Sequence, residues 1–289
     1  MPDQFASLSV SQLRERFAAG NLRPSEVVDD LLTRIRRCDP IVNSFTRVTA
    51  RRAERAAAAA DERWRQGRPL GPFDGVPFSA KDTLMVEGEP FRRGSRATSD
   101  RPAAASAPVV ARVLEQGGCL LGITTTPEFG VGPITISPLT GITRNPWDPS
   151  RNSGGSSGGA AAGVAAGFCP VALATDAGGS ARIPAGFCGV VGVKPTGGRV
   201  PTWPPNVAGA LSAPGVIART VDDAALLLES VAQPDPRDVE CAPPPPPGWL
   251  QRPAGVAGLR VALSLTLGHA QRVHPEIAAA VRAAADCIA

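Results

Sequence analysis

Lysine is scarce in this 289-residue chain: of its thirty basic residues only two, Lys81 and Lys194, are lysines. Histidine is as rare, with His269 and His274 both near the C-terminus and far in sequence from any serine-rich motif, which argues against a serine–histidine triad. The six cysteines, at positions 38, 119, 169, 188, 241 and 287, form no C-x-x-C pair, so neither a zinc knuckle nor a disulfide framework follows. Cys119, Cys169 and Cys188 lie in apolar company and read as small buried hydrophobes. No apolar run approaches the ~20 residues of a membrane helix. The start, Met1-Pro2-Asp3-Gln4-Phe5, lacks the basic and apolar parts of a secretory signal, so no membrane association and a cytoplasmic location are expected. The net charge of +4 comes from scattered arginines rather than a basic stripe, and implies no nucleic-acid surface.

What is present, 43% hydrophobic and 19% charged residues, suits an ordinary globule. Ser9-Val10-Ser11-Gln12 has capping-box spacing and predicts a short helix ended by Gly20; Pro24 starts a second helix to about Arg37, closed by Cys38-Asp39-Pro40. Ile41 to Val48 reads as a strand and the alanine-rich stretch from Arg51 to Gln66 as a helix. Helix 107–115 leads into the unalternating apolar run Cys119 to Thr124, typical of a buried strand. Helix 160–166, strand 171–174 and a helix from its cap Thr220 to Ala232 continue the pattern, giving an α/β fold with a mixed sheet. Prolines 243–247 and Pro253 then make a stiff connection, followed by a predicted strand, Leu259 to Ser264, and a helix from Pro275 to Ala289.

Lys81 sits in an apolar run, Gly75-Val76-Pro77-Phe78-Ser79-Ala80-Lys81-Asp82-Thr83-Leu84. Arginine stays protonated anywhere in a protein, whereas a buried lysine can lose its proton and become a base. Asp82 would oppose that loss if it faced the amine, so its side chain is expected to point elsewhere. Two serines suit such a base: Ser156 in Gly154-Gly155-Ser156-Ser157-Gly158-Gly159, and Ser180 in Asp176-Ala177-Gly178-Gly179-Ser180. An Ala/Gly/Val helix follows the first segment at once, so it is a helix N-terminus rather than a linker. A phosphate loop is excluded, because no G-x-x-x-x-G-K-[ST] run occurs. In the second, the glycines allow a tight turn that leaves amide N–H groups free to face a substrate oxygen.

Taken together, residues 154–184 resemble the signature of the amidase signature family, serine hydrolases acting on carboxamides. Gly71 to Asp82, Thr126-Pro127-Glu128-Phe129, Thr143 to Asp148 and Phe187 to Thr196 are also similar to family segments. The resemblance implies the amidase signature fold: a mixed central β-sheet flanked by helices, with the C-terminal portion missing from this chain. One domain is expected over 1–289, with a helical arm at about 1–66, a catalytic core at about 67–232, a Pro-rich connection at 233–258 and the start of a C-terminal portion at 259–289. It further implies Ser180 as nucleophile, Ser156 as a bridging serine after a cis Gly155–Ser156 peptide, and Lys81 as terminal base. The amides of Ala177, Gly178, Gly179 and Ser180 would form the oxyanion hole. Ser157, Asp176 and Arg182 are substrate-binding or loop-orienting candidates, with orientation the first role for Arg182.

The implied reaction is hydrolysis of a small-molecule amide to a carboxylic acid and ammonia or an amine, with neither metal nor organic cofactor. Two other readings stand beside it. One is the amidase (A) subunit of a glutamine-dependent aminoacyl-tRNA amidotransferase, which would bring tRNA and a partner subunit; the other is a shortened, inactive amidase-like protein. Two departures from the family pattern are Ala181, where a larger aliphatic residue is usual, and Glu89, where the family tends to be apolar.

Overall fold

The computed structural model describes residues 4–206, 208–246, 248–250, 255–270 and 272–288. The chain divides into two units, Met1–Pro247 and Gly248–Ala289.

The first unit begins with α1 (Val10–Ala18), whose cap Ser9 exchanges hydrogen bonds with Gln12 in the expected capping box. Helix α2 (Pro24–Val42) starts on its proline but continues past Arg37, where it was expected to close. Pro40 falls in the last turn, where its missing N–H removes only the one bond to the Arg36 carbonyl, and the helix stops three residues later at Asn43, whose φ of 56° is left-handed. The Asp39 carboxylate takes the Ser44 amide at 2.7 Å and hydroxyl at 2.6 Å, holding the exit from the helix. Strand β1 (Phe45–Val48) is therefore shorter than predicted. Val27, Val28, Leu31, Leu32 and Ile35 line the buried face of α2, each contributing roughly 1.5–3 kcal/mol by burial. Helix α3 (Ala50–Arg65) buries the small stripe Ala53, Ala57 and Ala60, spaced to lie against a neighbouring surface.

Next come β2 (Pro77–Lys81), α4 (Pro108–Glu115) and β3 (Cys119–Thr124). Two short hairpins follow, β4 (Ile136–Ser137) with β5 (Gly141–Ile142), and β6 (Arg144–Asn145) with β7 (Asp148–Asn152). Then come α5 (Gly158–Ala165), β8 (Val171–Asp176), α6 (Arg182–Cys188), β9 (Val191–Val193), β10 (Ala213–Ala218) and α7 (Val221–Val231), the last capped by Thr220.

Six strands make one mixed sheet in the order β1-β3-β2-β8-β10-β9. The three central strands, β3, β2 and β8, run parallel, and β1, β10 and β9 add antiparallel pairings. Every residue of β2 and β3 is buried, which is why neither alternates. Entry into β2 is fixed by Asp74, fully buried and gripped by Arg63 at 2.9 and 2.5 Å. Cys119, Cys169 and Cys188 are buried, and burial pushes their thiols up to about 12, 11 and 12.

In the second unit, α8 (Pro275–Asp286) forms as expected from Pro275, with the His274 side chain accepting the Glu276 amide. The predicted strand from Leu259 to Ser264 does not form. Leu259, Val261 and Leu263 are exposed and pair with no other strand among the described residues; a short apolar run is not a strand without a neighbour to take its backbone hydrogen bonds. Residues 241–246 are without regular secondary structure, and Pro247, Pro253 and Ala289 lie outside the described residues. Among the described residues no helix is long and apolar enough to cross a membrane.

Candidate active site

Because β2 and β8 are parallel neighbours, their carboxyl ends bring Lys81 and the Thr175–Asp176 pair to one edge of the sheet, where open α/β sheets tend to place their ligands. Lys81 is completely buried, and its Nζ donates to Ser156 Oγ at 2.8 Å and to Thr175 Oγ1 at 2.9 Å. Burial drives its pKa down to about 7, against an opposing pull from the Asp176 carboxylate. Asp82, adjacent in sequence, does turn elsewhere: it accepts the amides of Arg92 at 3.1 Å and Gly94 at 2.9 Å.

Ser156 and Ser157 lie at the start of α5, and the Gly155–Ser156 peptide is cis. Ser157 Oγ donates to the Thr175 carbonyl at 3.2 Å, while the Ser157 amide donates to the Ser180 carbonyl at 2.9 Å, joining the two serine segments. The helix behind them must approach the sheet closely. A Cβ on Gly159 would stand 2.4 Å from the Thr125 amide nitrogen, so only glycine fits that contact.

The segment carrying Ser180 wraps around Asp176. Its carboxylate accepts the amides of Gly179 at 2.7 Å and Ala181 at 3.1 Å, and the Arg182 Nε and Nη2 groups at 2.8 and 2.9 Å. Burial pushes the Asp176 carboxyl up, but Arg182 and these amides outweigh it and hold it below the usual carboxylate range. The Gly179 amide, one of the four expected oxyanion donors, is thus committed to Asp176, whereas the amides of Ala177, Gly178 and Ser180 have no partner among the described residues.

These three residues, with Ser156 and Thr175, line a cavity of about 410 Å³, within the ~300–1,000 Å³ of small-molecule sites. Among the described residues the Ser180 hydroxyl has no hydrogen-bond partner and so can turn toward whatever enters. Thr175 carries little signal in the sequence, a lone hydroxyl in a strand otherwise apolar up to Asp176. The charge at Glu89 has a partner, Arg47, at 3.3 Å. Ala181 is fully buried, and a Cβ on Gly215 would stand 3.5 Å from its methyl group.

By fold and site this is a mixed-sheet α/β protein whose cavity is built over a buried lysine and two serine-bearing loops. The sequence model of the Amidase family matches residues 26–288, and the chain belongs to the amidase signature family. It is 40% identical over 283 residues to the A subunit of a glutamyl-tRNA(Gln) amidotransferase from Chloroflexus aggregans, covering 97% of this chain and 58% of that protein. An indoleacetamide hydrolase from Bradyrhizobium diazoefficiens is 40% identical over 275 residues, covering 93% of this chain and 52% of the relative. A solved structure of 6-aminohexanoate cyclic dimer hydrolase complexed with substrate superposes with a TM-score of 0.85 at 31% identity, over 98% of this chain and 59% of that one. The chain thus spans little more than half the length of the curated relatives it matches.

Proposed function

We propose that the chain carries the chemistry of an amidase that hydrolyses a carboxamide to a carboxylic acid and ammonia or an amine, with Ser180 as nucleophile, Ser156 as proton bridge and Lys81 as base. The observation that carries the reading is the buried Lys81 Nζ, 2.8 Å from Ser156 Oγ beneath a cavity that Ser180 also lines. A neutral amine donates one hydrogen to Thr175 and turns its lone pair to the Ser156 O–H. As Ser156 releases that proton it takes the one from Ser180, and Ser180 Oγ bonds to the amide carbon. The amides of Ala177, Gly178 and Ser180 stabilise the oxyanion. Collapse breaks the C–N bond while the proton returns through Ser156 to the departing nitrogen. Water then sends a proton along the same route, attacks the acyl carbon, and releases the acid with the Ser180 O–H restored.

The hydrolase reading is preferred to the amidotransferase reading on Thr126-Pro127-Glu128-Phe129, which resembles general amidases. Glutaminase activity that depends on charged tRNA and a partner subunit would reverse that order. The six free cysteines fit a reducing compartment, and the proposed location is the cytoplasm. The test is the intact mass of the protein before and after exposure to a fluorophosphonate. A single adduct mapped to Ser180, lost in Ser180→Ala together with amide hydrolysis, is expected; undiminished hydrolysis by Ser180→Ala would end the assignment.

A further inference from the structure

The wall of the cavity carries one charged side chain among the described residues, Arg93. Its guanidinium stacks over two rings that also line the cavity, 5.8 Å from the centroid of Phe91 and 5.4 Å from that of Phe129. No carboxylate lies within ion-pair distance of it among the described residues. Glu128, the acid beside Phe129, instead accepts the Ser95 hydroxyl at 2.7 Å.

The backbone around Arg93 is fixed rather than loose. Asp82 holds the amides on both sides, those of Arg92 and Gly94, and the Arg93 carbonyl accepts the Phe129 amide at 2.7 Å. Arg93 and Phe129 both take left-handed φ values, 53° and 55°, unusual for residues with side chains. One acid, Asp82, thereby ties this loop to the strand end that bears Lys81. Elsewhere the wall mixes apolar Ile183, Pro204 and Pro205 with the uncharged polar side chains of Thr83, Asn206 and Ser212.

A preorganised cation with no counter-ion among the described residues, in a cavity whose other lining residues are uncharged, is suited to a ligand that brings the missing charge. We infer that Arg93 determines specificity by binding an anionic group, a carboxylate, of an amide substrate at a distance from the scissile bond, across an apolar spacer. The substrate class is then the monoamides of dicarboxylic acids and amides of similar layout. This rests on the amidase reading of the same cavity.

The test measures binding without turnover. In the Ser180→Ala protein, isothermal titration calorimetry compares adipamate, an amide with a carboxylate at its far end, with adipamide, its neutral isostere. Adipamate is expected to bind about ten- to a hundred-fold more tightly, as a charge-assisted hydrogen bond allows. Adding Arg93→Met should remove that preference while leaving adipamide binding within about two-fold, and Arg93→Lys should keep part of it, because it retains the charge without the planar fork. Equal binding of the two ligands, binding of neither, or a preference unchanged in Arg93→Met overturns the inference. Should Arg93→Met not fold, the comparison in the parent and in Arg93→Lys still decides. Ammonia release by Ser180→Ala would show the failure of the amidase reading separately, since the affinity difference is read independently of it.

Discussion

Arg182 grips Asp176 with one edge of its guanidinium in a bidentate pair, Nε on Oδ2 at 2.8 Å and Nη2 on Oδ1 at 2.9 Å. The same carboxylate holds the amides of Gly179 and Ala181, which bracket Ser180, so the ion pair sets where the serine stands. Asp176→Asn should cost about 2 kcal/mol, less than the 3–5 of a fully buried pair because Arg182 is half exposed. Asp176 is held below its ordinary pKa, so its stabilising effect is present above the normal carboxylate range and lost as pH falls through the folded-state value. Thermal melts should therefore show the gap between parent and Asp176→Asn at pH 7 narrowing as the solution is made strongly acidic. A gap that widened on acidification would contradict this.

Lys81 gives the same sign of slope in a higher pH window, but through a penalty that is relieved rather than an attraction that is gained. Its pKa falls from 10.5 to about 7 through burial, so between those values the unfolded chain binds more protons than the folded one and stability rises with pH. The difference in urea midpoint between the parent and Lys81→Met, followed from pH 7 to pH 10, should move in the parent's favour as pH rises; the three buried thiols, whose raised pKa values lower stability above about pH 9, are common to both proteins and cancel in the difference. Under the proposed mechanism the same shift sets the pH profile: kcat/KM should rise with unit slope below about pH 7 and level off above it, as the amine becomes neutral. A profile flat from pH 5 to pH 9 would remove Lys81 as the base.

Thr175 accepts a hydrogen from the Lys81 amine and also lies 3.1 Å from Thr83 Oγ1. Removing the hydroxyl in Thr175→Val takes away an acceptor that favours the charged amine, so the acidic limb of the kcat/KM profile should move to lower pH. Because the amine then loses one of its two anchors, kcat should fall by about ten-fold, the effect of one lost hydrogen bond. A purely structural role would lower stability and leave the limb where it is.

Much of this arrangement was legible in the sequence, for reasons that differ by element. Helices with explicit caps, α1 from Ser9 and α7 from Thr220, declare themselves because the capping side chain is local. Strand β2 shows in the sequence only as an apolar run, since burial on both faces erases alternation and Pro77 opens it. Strand β10 was hidden by Pro214 and Gly215. The proline is tolerated because at that position β10 pairs with β8 alone, β9 joining only from Val216 onward, which leaves one backbone edge free. The two serine loops were readable as glycine-rich turns, but Thr175 owes its place by Lys81 to the parallel pairing of β2 and β8, which no local pattern encodes. The occupied Gly179 amide was likewise invisible, because it depends on the folding back of a carboxylate three residues away.

The paired glycines before Ser180 should differ sharply in tolerance. A Cβ on Gly178 meets nothing within 4 Å and the residue has no positive φ, so Gly178→Ala should change stability by no more than about 0.5 kcal/mol. Gly179 has a φ of +111°, and a Cβ there would stand 2.8 Å from Ile183 Cδ1. Gly179→Ala should thus cost about 1–3 kcal/mol, as expected for a side chain forced into that region. Its effect on rate should be larger than its effect on folding. Relief of the strain moves the amide off Asp176 and displaces Ser180 with its neighbouring donors, and loss of one oxyanion contact costs ~100- to 1000-fold. Acylation rates with a fluorophosphonate, measured for both variants at a temperature where each is fully folded, separate the two effects. Equal acylation by Gly178→Ala and Gly179→Ala would mean that the Gly179–Asp176 contact does not position the serine.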